Sequence, residues 1–192
     1  MKGKIRMGKR NIISLAGDLA SGKGTVSEIL IRDLNYGIYR NGEYVRKLAK
    51  EKGLDITSFN AYLADHPEID IQIEKSASEY AKDHDNFIID ARLGWYAVPD
   101  SFKVYLRVDI DVAAQRAFND QKRKSTEYFE TVEEQKADMQ RRYKSENERY
   151  WKLYHVHKED MSNYDLVIET TNMTPEEVAE QIKREYKNWL EK

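Results

Sequence analysis

Short apolar runs alternate along this chain with longer stretches of helical periodicity. Asn11-Ile12-Ile13-Ser14-Leu15-Ala16 is the first run, and behind it Val26, Ile29, Leu30 and Leu34 recur at the i, i+3, i+4, i+8 spacing of an amphipathic helix. Tyr36–Arg40, Phe87–Asp90, Val104–Val108 and Leu166–Ile168 read as four further strands. Each is short, apolar and separated from the next by helical sequence. This pattern predicts an α/β fold with a five-stranded parallel sheet joined by crossover helices.

Residues 42–83 form a helical block between the second and third strands. Asn41-Gly42 is read as the turn into it, Val45, Leu48 and Ala49 pattern a helix that Gly53 stops, and Phe59 and Leu63 pattern another from Thr57. Pro67 suits the first position of a third helix, whose buried stripe is Ile69, Ile73, Ala77 and Tyr80. The last helix opens with the capping box Thr174-Pro175-Glu176-Glu177 and continues through Val178, Ile182 and Leu190. Residues 119–162 differ in texture. They are rich in charged residues and tyrosine, with a second capping box at Thr131-Val132-Glu133-Glu134 and a thin stripe of Met139, Tyr143, Tyr150 and Tyr154. So narrow an apolar face predicts little buried area, weak docking and a mobile segment.

The junction of the first strand and first helix carries the clearest chemistry. It reads Gly17-Asp18-Leu19-Ala20-Ser21-Gly22-Lys23-Gly24-Thr25. A strand, a glycine loop and a helix in that order aim backbone N–H groups and a helix dipole at a phosphate, and Lys23 adds a point positive charge. Gly17, Ala20, Ser21, Gly22, Lys23, Gly24 and Thr25 are therefore the residues expected to hold a polyphosphate. Gly24 stands where many such loops carry the hydroxyl that meets Mg²⁺, and the hydroxyl comes one residue later at Thr25. Thr25 is thus expected near the α-phosphate and remains, with a carboxylate from elsewhere, a candidate for the metal.

Composition narrows the partners. The 192 residues suffice for one domain, and 32 Lys+Arg against 34 Asp+Glu give a net charge of −2. No overall basic field exists to recruit nucleic acid, so anion recognition is local. The absence of cysteine excludes disulfides and thiolate metal sites and suits a reducing cytoplasm. The basic start, Met1 to Arg10, has the look of a signal n-region, but the apolar stretch behind it ends at Gly17. It is expected to be a solvated leader, and no run is long enough to span a membrane.

In a parallel sheet, ligands bind beyond the carboxyl ends of the strands. Asp90 ends the third strand and is the expected carboxylate for Mg²⁺. Arg92, two residues on, and Arg46, in the helical block, form an expected clamp for a second phosphate-bearing molecule, since the guanidinium fork binds phosphate bidentately. Arg142 and Arg149 are seven residues apart and share one helix face about two turns apart. If that helix closes over the phosphates, both reach the transferring group, where charge neutralisation and exclusion of water matter most.

With these pieces in place the chain resembles the cytidylate kinase family, especially its short archaeal form. The likeness runs over nearly the whole sequence: the glycine loop, Gly42 to Gly53, His66-Pro67-Glu68-Ile69-Asp70, Asp90-Ala91-Arg92-Leu93-Gly94-Trp95, the two arginines of the tyrosine-rich helix, and Tyr164-Asp165-Leu166-Val167-Ile168. The resemblance implies a P-loop NTPase fold that serves as a nucleoside monophosphate kinase. ATP would lie on the P-loop, the monophosphate under an insertion of residues 42–83, and residues 119–162 would form a lid. It further implies that Arg46 and Arg92 hold the acceptor's phosphate, that Asp90 serves the metal, and that Arg123 contacts ATP. Two departures stand out. Lys75-Ser76-Ala77 occupies the place of a usual Arg-Arg-Gln, and Asp90-Ala91-Arg92 that of Glu-Gly-Arg. Both bear on the base recognised more than on the reaction. The expected catalytic set is Lys23, Arg142 and Arg149. A P-loop kinase of another small metabolite and a nucleotide-binding regulator without turnover are the competing readings.

Overall fold

The computed structural model describes residues 9–120 and 129–191. Five parallel strands, β1 (Ile12–Gly17), β2 (Gly37–Arg40), β3 (Phe87–Asp90), β4 (Phe102–Arg107) and β5 (Leu166–Glu169), lie in the order β2-β3-β1-β4-β5. β1 runs between β3 and β4, with Leu15 opposite Asp90 on one side and Val104 on the other. The glycine loop therefore leaves the middle of the sheet, and every strand end that could serve it lies alongside.

Alternation along the strands builds both layers. Ile13 and Leu15 point to one face, where Ile88, Val104 and Leu106 join α1 (Lys23–Leu34) and α8 (Pro175–Glu191) through Val26, Leu30, Val178 and Ile182. Ile12 points to the other face, with Phe87 and Ile89, against Ala77 and Ala81 of α4 (Pro67–Asp83). Ala16 and Tyr105 also face that side, under Leu93, Trp95 and Tyr150. Burial on both faces explains why the strands read as nearly unbroken apolar runs.

Between β2 and β3 lie α2 (Asn41–Glu51), α3 (Ile56–Asp65) and α4, which share a core of Ala49, Phe59, Leu63 and Ile73. Asn41 and Gly42 form the first turn of α2 rather than a separate turn before it. Helix α3 begins at Ile56, one residue before the sequence expectation, because Asp55 caps it by accepting from the Ser58 amide at 2.7 Å. Pro67 occupies the first turn of α4. Thr174 and Glu177 exchange the two hydrogen bonds of a capping box. α5 (Gly94–Ala97), α6 (Ile110–Asn119) and a 3₁₀ turn at Met161–Asn163 complete the description together with α7 (Val132–Tyr154).

Gly17 ends β1 at φ +148°, where a Cβ would come within 2.3 Å of the Leu106 carbonyl oxygen of β4. Gly24 has open space at the same position. Gly17→Ala is therefore expected to cost roughly 3 kcal/mol of unfolding free energy. Gly24→Ala should leave stability unchanged or raise it by up to about 1 kcal/mol, since Ala is the better helix former. Urea unfolding of both variants checks this contrast, and a Gly17→Ala protein as stable as the parent refutes it.

Candidate active site

The glycine loop is held from below by groups that do not touch its concave side. The Asp18 carboxylate accepts from the Tyr105 hydroxyl at 2.6 Å and from the Val108 amide at 3.0 Å. Just after β5, the Thr170 hydroxyl donates to the Arg107 and Ser21 carbonyls. Ala20 (φ 58°) and Gly22 (φ 90°) adopt left-handed backbone that curls the loop. Lys23 folds back and donates to the Gly17 and Asp18 carbonyls at 2.9 and 2.7 Å. The first turn of α1 has no side-chain cap, which leaves its N–H groups to an incoming anion.

One cleft of about 1320 Å³ opens above this loop. Ala20, Ser21, Gly22, Lys23, Gly24 and Thr25 line it, and so do Arg46, Asp90, Arg92, Arg142 and Arg149. Gly17 does not line the cleft and acts beneath it, where the loop meets β4. Arg123 lies outside the described residues. Thr25 is exposed at the start of α1 and Asp90 closes β3 beside β1, so a hydroxyl and a carboxylate face the same space. Among the described residues no group of three His, Cys, Asp or Glu side chains forms a metal cage. This set fits an ion held mainly by phosphate oxygens and touched by one or two protein oxygens.

Carboxylates that the sequence reading did not single out hold the arginines in position. Glu146 of α7, 3% exposed, accepts from Arg92 Nε at 2.5 Å and from the buried Lys158 Nζ at 2.7 Å. Burial opposes its charge, but Arg92 and Lys158 outweigh that and hold the Glu146 carboxyl well below the usual carboxylate range. Asp70 of α4 accepts from Arg149 Nε at 2.6 Å, and Asp138 lies 3.8 Å from Arg142. Burial pushes the Asp70 carboxyl up even though Arg149 pulls it down. The expected apolar stripe of α7 is only partly realised: Met139 and Tyr150 are buried, whereas Tyr143 is 38% exposed. Beside Met139 and Tyr150, α7 also buries the charged Asp138, Arg142, Glu146 and Arg149.

Two further residues facing the cleft, Arg116 and Glu74, were not expected. Arg116 of α6 donates to the Thr170 and Thr171 carbonyls, beside the strand end that fixes the loop. Glu74 belongs to a face of α4 written Asp70, Glu74, Ala77, Ala81, adjacent to the apolar stripe. That 4-3-4 spacing was the available signal, since two acids on a buried helical face need a purpose. Burial, then the charge of Asp70, pushes the Glu74 carboxyl up to about 8.

The fold and site together define a P-loop kinase, a phosphotransferase. The chain aligns along its length with shikimate kinase from Acinetobacter baumannii, with a TM-score of 0.60 at 15% identity over 93% of this chain and 94% of that one. It belongs to the cytidylate kinase-like family, whose model matches residues 12–172. The cytidylate kinase of Thermoplasma volcanium is 36% identical over 172 residues, covering 87% of this chain and 86% of that protein. That of Thermoplasma acidophilum is 33% identical over 87% of each. No helix among the described residues is long and apolar enough to cross a membrane.

Two outcomes follow from the buried charges. Glu146→Ala leaves Arg92 and Lys158 without their counter-ion and should cost about 3 to 5 kcal/mol by chemical denaturation; a loss under about 1 kcal/mol counts against the network. Glu74 holds a proton in the folded protein between its ordinary 4.5 and about 8, where the unfolded chain has lost it. Its contribution to stability is complete below 4.5 and is lost as pH rises through about 8. In thermal melts Glu74→Gln should therefore lose less stability than the parent between about pH 5 and 9; parallel curves contradict a neutral carboxyl.

Proposed function

We propose that the chain transfers the γ-phosphoryl group of ATP to a nucleoside monophosphate, with CMP or dCMP as the acceptor. One observation carries this reading: a phosphate loop and the four arginines Arg46, Arg92, Arg142 and Arg149 line a single cleft. A binding loop alone needs no such set, whereas two polyanions brought together for transfer do. The names of the related cytidylate kinases support the choice of acceptor.

In this reading ATP lies on residues 17–25, and the N–H groups of the first turn of α1 and Lys23 bind its phosphates. Residues 42–83 form the acceptor-binding insertion and residues 119–162 the lid, with Arg123 an additional ATP contact. Arg46 and Arg92 hold the acceptor's phosphate. One of its oxygens attacks the γ-phosphorus in line as the bond to the β–γ bridging oxygen breaks, and ADP leaves. The attacking oxygen is already anionic, so no residue need remove a proton, and no bond to the protein forms. Arg142 and Arg149 neutralise the charge that spreads over the γ-oxygens, and α7 keeps water from the phosphorus. Thr25 and Asp90 are the residues to hold Mg²⁺, which when bound offsets charge on the β- and γ-phosphates.

Purified protein with ATP and Mg²⁺ should release ADP in the presence of CMP or dCMP, and failure with CMP, dCMP, UMP and AMP alike refutes the reading. Arg142→Ala and Arg149→Ala should each lower kcat by about a hundredfold. Turnover within about threefold of the parent in both variants removes them from the transfer step.

A further inference from the structure

The cleft holds one carboxyl that neither the loop chemistry nor the arginine set explains. Glu74 lines the cleft, is 6% exposed, and its Oε2 has no hydrogen-bond partner. A buried oxygen without a partner is a standing cost that a bound ligand can relieve. The cleft wall on α2, α3 and α4 mixes the apolar Val45, Ile56 and Ile73 with the polar Arg46, Asn60 and Asp70. A wall that mixes apolar surface with a few polar groups suits a flat heterocycle. Asn41, whose carboxamide oxygen is also buried and without a partner, lines the same cleft.

We propose that Glu74 reads the hydrogen-bonding edge of the acceptor's base, which makes it a specificity-determining residue of the nucleoside monophosphate site. This rests on the nucleoside monophosphate kinase reading above and extends it. A neutral carboxyl offers an O–H donor and a C=O acceptor side by side. Cytosine presents the matching pair, the N3 acceptor and the 4-amino donor, so two parallel hydrogen bonds form. An ionised carboxylate only accepts and would face the N3 lone pair.

The surroundings keep the carboxyl in its neutral form. Asp70 lies on the same helix, and Glu146, Arg149, Tyr150 and Tyr154 face it from α7. Arg92 faces it from the loop after β3, Tyr39 from β2, and Arg46 of α2 lines the same cleft. The two acids oppose a third negative charge, while Arg92 and Arg149 are already engaged by Glu146 and Asp70. Burial then decides, and Glu74 retains its proton near neutral pH.

The test compares CMP with the analogue that carries hydrogen in place of the 4-amino group, by steady-state kinetics and by calorimetric binding to the full chain. The parent should prefer CMP by about tenfold in KM and in Kd, the scale of a hydrogen-bond pair lost at a buried site. Glu74→Ala should bring the two acceptors within about twofold while KM for ATP stays within about twofold of the parent. Glu74→Gln keeps a donor and an acceptor, and should recover most of the preference. Above about pH 8, KM for CMP should rise in the parent and stay flat in Glu74→Gln. An unchanged CMP-to-analogue ratio in Glu74→Ala, or an equal pH rise in Glu74→Gln, overturns the assignment while leaving the kinase reading intact. A parent that phosphorylates no nucleoside monophosphate overturns the kinase reading; equal CMP binding by parent and Glu74→Ala, or no CMP binding by the parent, then overturns this one as well.

Discussion

Glu146 sits buried between Arg92 and Lys158, and the working geometry of the cleft depends on that contact. A site for two polyanions must concentrate cations, and before the anions arrive those cations repel one another in a poorly solvated space. Counter-ions supplied by the protein relieve the repulsion and also set where each guanidinium points. Glu146 does this for Arg92 and Asp70 for Arg149. Glu146 and Arg149 both belong to α7, so their pairs with Arg92 and Asp70 also tie that helix to the segment after β3 and to α4.

The sheet supplies the other half of the arrangement. β1 lies between β3 and β4, so the loop after β1 and Asp90 at the end of β3 meet without any long excursion of the chain. Leu93 and Trp95 anchor the segment after β3 in the core, which fixes Arg92 at the entrance to the cleft. Asp18 ties the glycine loop to β4, and Thr170 ties it to the end of β5. The loop is thus a prepared cradle, and a network of paired charges lines the same cleft.

Much of this was legible in the order of residues. Apolar runs buried on both faces give parallel strands, and the strand, glycine loop and helix sequence marks a phosphate site whatever surrounds it. The arginines Arg46, Arg92, Arg142 and Arg149 could be picked out because a phosphate site in this class of sheet draws them from known strand ends and helix faces. The burial of α7 exceeds what its apolar stripe predicts. Tyr143 is 38% exposed, and the ion pairs with Arg92 and Asp70 join Met139 and Tyr150 in holding the helix. Ion pairs between helices have no period of their own in a sequence.

The sequence by itself determined the elements, the phosphate loop and the family to which they belong, because these rest on local periodicity and on backbone conformations that particular residues permit. Only the tertiary structure decided which carboxylate meets which arginine, and that Glu74 lines the cleft buried with an oxygen unsatisfied. Such pairings join residues dozens of positions apart, 54 between Arg92 and Glu146 and 79 between Asp70 and Arg149. Their protonation follows from burial and from the sum of surrounding charges, quantities that exist only once the chain has closed upon itself.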